Sequence, residues 1–168
     1  VLCSDGDLEE GVSAEASSIA GVQELGNLTV IYDDNQISIE DDTNIAFTED
    51  VAARYEAYGW HVQTVDWTNG GGEYVEDVAG LYAAIQAARA VTDRPSFIRL
   101  KTIIAWPAPH AQGTGKAHGS ALGAEEVAAT KQVRAHFEKL GPVAVLVDAD
   151  RLLDVREIRL QHGAQHVF

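Results

Sequence analysis

Cysteine, methionine and positive charge are what this chain has least of. Cys3 is the single cysteine in 168 residues, so no internal disulfide framework is possible and a reducing, cytoplasmic compartment is the expectation. Only 12 Lys and Arg residues stand against 26 Asp and Glu, for a formal charge of -14. That sign argues against a binder of nucleic acid, whose surfaces carry a basic footprint. No apolar run reaches the roughly 20 residues of a membrane-spanning helix. Neither nucleic acid nor a membrane is therefore an expected partner. Methionine is absent altogether, and the chain opens at Val1 inside an apolar, strand-like stretch. The expectation is an excerpt, with residues preceding Val1. What is present is ordinary: 46% hydrophobic and 23% charged residues, the mix of a globular domain with a real core.

Strand and helix patterns alternate along the chain. Val1–Cys3 followed by Ser4-Asp5-Gly6 predicts a strand and a turn. The stretch Leu8–Leu25 places Val12, Ala16, Ile19, Ala20 and Val22 near helical spacing, and Gly26 suits a helix end that needs positive φ. Leu28–Tyr32 is a continuous apolar run, as in a strand buried on both faces. A helix over Thr48–Tyr58 stops at Gly59, and Trp60–Val65 alternates as a strand. Tyr74–Val91 is helical, with Val78, Leu81, Tyr82, Ile85 and Ala88 as its stripe. Phe97–Ile104 is a further strand, Ala105–Gly123 a Gly/Pro loop, and Ala124–Phe137 a last helix. Such alternation predicts an α/β fold in three layers, a mostly parallel sheet with helices on both faces. Functional groups then belong at the carboxyl ends of the strands.

Asp5 and Asn35 each follow a predicted strand, with one crossover helix between them. If those strands are neighbours, their ends lie roughly 5 Å apart, and a carboxylate meets an amide carbonyl. Both are hard oxygen donors suited to Mg²⁺ or Ca²⁺. Magnesium commonly takes one or two carboxylates plus ligand phosphates, so the implied ligand is a diphosphate held through a metal. The other reading stays open on residue types alone, because Asp, Gly and Asn dominate turns. Asp33, Asp34, Asp41 and Asp42 lack the spacing of a calcium loop and are read as a solvated turn. His61, on a predicted strand, is read as structural.

Ser4-Asp5-Gly6-Asp7-Leu8-Glu9-Glu10-Gly11 followed by Tyr32-Asp33-Asp34-Asn35-Gln36-Ile37-Ser38-Ile39 resembles the thiamine-diphosphate motif of transketolases. The resemblance continues through Thr43–Val51, Tyr55–Val62, Ala90–Pro95, Lys101–Ile104 and Gly115–Gly119, covering residues 1–130. It implies that Asp5 and the Asn35 side chain bind Mg²⁺ or Ca²⁺ with the backbone carbonyl of Ile37. Gly6 approaches the diphosphate, Ile39 packs on the cofactor rings, and Glu10 joins a carboxylate network at a homodimer interface. His118 matches a histidine that contacts thiamine diphosphate and sugar; without the resemblance it reads equally as a solvated loop residue. The activity implied is transfer of a two-carbon ketol group between sugar phosphates, in the pentose phosphate pathway.

The pattern also departs from the family. Ser4 stands where the motif has glycine, and the histidines and the glutamate that complete such a site have no counterpart here. Residues 131–168 hold 6 of the 12 basic residues but only 5 of the 26 acidic ones. A boundary near Thr130 is therefore predicted, with a divergent tail in which Gly141–Asp154 forms a strand and helix. The isolated chain is expected to be a truncated, inactive fragment. The alternatives are a deoxyxylulose-phosphate synthase, a ketoacid dehydrogenase subunit, or a non-catalytic remnant that acts only by subunit association.

Overall fold

A computed structural model describes residues 1–39 and 41–139. Among them, four strands, β1 (Leu2–Ser4), β2 (Thr29–Asp34), β3 (His61–Asp66) and β4 (Ser96–Lys101), form one parallel sheet in the order β1-β2-β4-β3. Five helices accompany them: α1 (Asp5–Glu9), α2 (Gly11–Val22), α3 (Val51–Ala57), α4 (Val78–Ala90) and α5 (Ala124–Lys139). The expected α/β fold is the one observed. Helices α1, α2 and α3 cover one face through Leu8, Ala20, Val51 and Tyr55, packed on Val30, Tyr32 and Phe97. Helix α4 covers the other, setting Ala84 and Ala88 on Ile98.

Local chemistry sets the element boundaries. Asp50 caps α3 by accepting from the Ala53 N–H at 3.2 Å, and Gly59, at φ +85°, ends that helical segment. Asp77 caps α4 through the Gly80 N–H at 2.8 Å, which shortens the predicted Tyr74–Val91 helix at its start. The predicted turn at Ser4-Asp5-Gly6 is instead the start of α1. The Asp7 carboxylate accepts from the Ser4 backbone N–H at 2.9 Å and from its hydroxyl at 3.2 Å, a use for serine that glycine could not serve. The single helix predicted over Leu8–Leu25 is two, because Glu10 is extended at φ -71°, ψ 126°.

The predicted apolar stripes coincide only in part with the buried faces. In α2, Val12, Ile19 and Val22 are exposed and Ala20 is buried. A Cβ on Gly21 would sit 1.9 Å from the Tyr58 carbonyl oxygen. So close an approach admits only small residues on the inner face, and the branched ones turn outward. In α4 the predicted Ala88 is buried and the predicted Leu81 and Ile85 pack half-buried on the same cluster, while Val78 and Tyr82 are exposed and the buried Ala84 is not among the predicted residues. Strand β2 buries Val30, Tyr32 and Asp34 but leaves Thr29, Ile31 and Asp33 half-buried; the more fully buried strand is β4, which lies between β2 and β3. Helix α5 passes through Thr130 without a break. The predicted elements of Gly141–Asp154 lie outside the described residues.

Candidate cofactor and metal site

The register places the ends of three strands side by side: Ser4 pairs with Asp33, and Asp33 with Leu100. Asp5 and Asn35 therefore emerge at one carboxyl edge, as the spacing argument requires. Asp5 is 1% exposed. Its Oδ1 accepts from the Tyr32 hydroxyl at 2.6 Å, and its buried Oδ2 has no hydrogen-bond partner among the described residues. Burial pushes this carboxyl above its ordinary value, and the charge of Asp34 adds to that; the Tyr32 hydroxyl and the Asn35 backbone N–H oppose them. A buried acceptor without a donor is costly and rare. A cation is one group that satisfies it.

The Asn35 side chain folds back on its own loop. Its Oδ1 accepts from the Ile37 N–H at 3.0 Å, and its Nδ2 donates to Asp33 at 3.4 Å. Ile37 is buried and bridges Asp42, closing a loop in which the Thr43 N–H donates to the Gln36 carbonyl at 2.9 Å. Ile39, at 71% exposure, is an apolar side chain open to solvent. Gly6 is exposed, and a Cβ added there would meet nothing within 4 Å, so no packing inside the described chain demands glycine. Glu10 is exposed at the junction of α1 and α2. Beside Asp5 lies a cavity of about 260 Å³ whose walls include Tyr32, Asp34, Thr43, Glu49 and Arg99. His118 is not among its lining residues. It is half-buried, at the end of a 3₁₀ turn over Gly115–Ala117 in the loop after β4.

That loop is tied down from α5. Glu126 accepts from the N–H groups of His110 at 2.7 Å and Ala111 at 2.9 Å, and meets the His110 ring at 2.8 Å. The clasp continues, since the Thr114 hydroxyl donates to Ala111 and the Thr114 carbonyl accepts from Ala117. The His110 backbone bond, the His110 ring and the Ala111 bond hold the Glu126 carboxyl below its ordinary value of 4.5. A lowered folded-state value means the clasp is intact above the unfolded value and is lost as pH falls through the folded one. Amide shifts of His110 and Ala111 are therefore expected to show a common transition below pH 4.5. Glu126→Gln should abolish that transition; its persistence in the variant would refute the assignment.

The sequence reading missed Tyr32, Asp34 and Arg99. Asp34 was expected in a solvated turn; it ends β2 at 4% exposure, with Arg99 Nε 2.5 Å from its Oδ2. Asp33 is likewise in β2 and accepts from the Thr102 hydroxyl. The overlooked signal was strand parity, which puts Asp34 on the face of Val30 and Tyr32. Asp42 caps the 3₁₀ turn over Thr43–Ile45 through the Asn44 N–H at 2.8 Å. His61, read from the sequence as structural, lies on β3 with its ring 3.2 Å from the Ser96 hydroxyl. Burial pushes the Cys3 thiol up to about 11, away from nucleophilic character.

A family model described as "Transketolase, thiamine diphosphate binding domain" matches residues 1–151. The chain belongs to the transketolase family. A transketolase of Mycobacterium tuberculosis strain H37Rv is 58% identical over 162 residues, covering 96% of this chain and 21% of that protein. A probable transketolase of Streptococcus pneumoniae is 48% identical over 132 residues, covering 79% of this chain and 19% of its own length. The crystal structure of transketolase from Campylobacter jejuni superposes with a TM-score of 0.70 at 40% identity, covering 80% of this chain and 20% of that one. The chain thus spans about a fifth of the transketolases it matches. The family match continues to residue 151, past the compositional break near Thr130.

Proposed function

We propose that this chain supplies the metal- and diphosphate-binding side of the thiamine-diphosphate site of a transketolase. The activity of the whole protein is then transfer of a two-carbon ketol group between sugar phosphates, in the cytoplasmic pentose phosphate pathway. One observation supports this above the others: a buried carboxylate oxygen, Asp5 Oδ2, with no hydrogen-bond partner among the described residues, near Asn35 at the carboxyl edge of two parallel strands. Asp5, the Asn35 side chain and the Ile37 carbonyl would hold Mg²⁺ or Ca²⁺, all through hard oxygens. Among the described residues no three His, Cys, Asp or Glu side chains form a metal cage. Magnesium takes few carboxylates and leaves positions for phosphates.

The cofactor, when bound, supplies the electron sink for making and breaking the carbon–carbon bond. This chain's residues bind and orient. Gly6 leaves backbone room for the diphosphate, and the exposed Ile39 offers an apolar surface to the cofactor rings. His118 accepts or returns a sugar hydroxyl proton, for which an imidazole is suited at neutral pH. Glu10 faces a second subunit in a homodimer and links the two sites through carboxylates.

Calorimetry with thiamine diphosphate and Mg²⁺ tests the site. Asp5→Ala is expected to abolish metal-dependent binding, a larger effect than the roughly 10–100-fold loss on removing an outer partner of a metal ligand; equal affinities would remove the site from Asp5. The isolated chain is expected to turn nothing over, because catalytic groups that act as a unit fail together. A coupled sugar-phosphate assay checks this, and turnover by the pure chain would contradict it.

A further inference from the structure

Three buried polar side chains meet behind the proposed metal ligand: Asp5, Tyr32 at 2% exposure, and Asp34. A buried hydroxyl must donate somewhere, and Tyr32 has one proton for two carboxylates. Its oxygen is 2.6 Å from Asp5 Oδ1 and 3.4 Å from Asp34 Oδ1. The second distance lies beyond the usual range for O–H···O bonds, so the proton belongs with Asp5. The reason for that choice is on the neighbouring strand. Arg99 stands opposite Tyr32 in the register of β2 and β4, and its Nε sits 2.5 Å from Asp34. Asp34 already has a cationic donor, while Asp5 has none among the described residues.

We propose that Tyr32, steered by the Arg99–Asp34 pair, is a positioning residue that fixes the Asp5 carboxylate and presents its free oxygen to the metal. With Oδ1 anchored at one bond, rotation of the carboxylate is stopped and Oδ2 keeps a single direction. Outer partners of metal ligands commonly work this way, and their loss costs about 10–100-fold in metal affinity. The proposal rests on the reading of Asp5 as a metal ligand.

The sign of one measurement separates positioning from simple electrostatics. Tyr32→Phe keeps the ring, its contact with Phe97 and the net charge, and removes only the hydroxyl. A hydroxyl that merely drew charge from Asp5 would, when deleted, leave a stronger ligand and tighter binding. A hydroxyl that orients Asp5 leaves a looser ligand and weaker binding. Mg²⁺ is titrated calorimetrically in the presence of thiamine diphosphate, for the parent chain, Asp5→Ala and Tyr32→Phe. A parallel titration of thiamine diphosphate in EDTA reads metal-free binding. The expected result is loss of the Mg²⁺ response in Asp5→Ala, about a tenfold weaker response in Tyr32→Phe, and unchanged metal-free binding. General loosening of the fold would weaken both titrations alike and would overturn the proposal, as would an equal or tighter Mg²⁺ response in Tyr32→Phe. Should Tyr32→Phe not melt cooperatively, Arg99→Lys decides: it keeps the charge but loosens Asp34, which then competes for the Tyr32 proton. A weaker Mg²⁺ response there supports the relay and an unchanged one overturns it. If the parent and Asp5→Ala respond alike, the metal-site reading itself fails, and the proposal with it.

Discussion

Replacing Phe97 with alanine is expected to lower the unfolding free energy by about 3–5 kcal/mol, the range for deleting a buried phenyl ring. Phe97 is 0% exposed and lies on β4, the strand between β2 and β3. Tyr55 stacks on it with centroids 3.7 Å apart and planes at 17°, and Trp60 meets its edge at 6.4 Å. These neighbours are held from α3, from the start of β3 and from the sheet itself, so they cannot collapse together into the space left. Small domains are stable by about 5–15 kcal/mol, and a cost of this size removes a large part of it. Urea denaturation followed by tryptophan fluorescence gives the measurement. A loss below about 1.5 kcal/mol would mean that the site relaxes and that the ring cluster is not the centre of the core. The effect should reach Asp5 as well, because Tyr32 leans on Phe97 at 5.9 Å while its hydroxyl donates to Asp5.

Gly26→Ala is expected to cost about 3 kcal/mol, at the top of the range for adding volume to a packed site. Two effects oppose each other. Alanine restricts the unfolded chain and would stabilise by about 0.4–1 kcal/mol where the native backbone accepts it. Against that, a Cβ at Gly26 would sit 2.1 Å from the Thr92 carbonyl oxygen and 2.4 Å from its carbon. Those atoms are backbone, just before the short link into β4, and cannot swing aside as a side chain could. The clash therefore wins. A shift of the urea midpoint with an unchanged slope is the expected observation, and a variant as stable as the parent would show that the approach can open.

Gly26 also shows how far sequence reasoning reaches. The sequence marks it correctly as a place where only glycine serves, but the reason offered there, positive φ at a helix end, belongs to another residue. Helix α2 stops at Val22, and Glu24 takes the φ of 53°. Gly26 is needed because two backbone segments nearly touch, and such contact leaves no mark in a local pattern. The helix faces repeat the lesson. Apolar spacing found α2 and α4 and included the buried Ala20 and Ala88, but it also counted Val12, Ile19, Val22, Val78 and Tyr82, which are exposed, and left out the buried Ala84. Asp34 makes the point for the site. In sequence it is one of several acidic residues near a turn, and only the neighbouring strand supplies Arg99 and makes it a buried ion pair.

Strand–helix alternation, the crossover between Asp5 and Asn35, and the motif shared with transketolases were all readable from the linear chain, because each depends on spacing along it. The order β1-β2-β4-β3 was decided only in the folded molecule. So were the anchoring of Asp5 by Tyr32 and the clasp of Glu126 on the His118 loop. These depend on which distant segments become neighbours, and that is settled by burial and close packing across the sheet, which spacing along the chain does not encode.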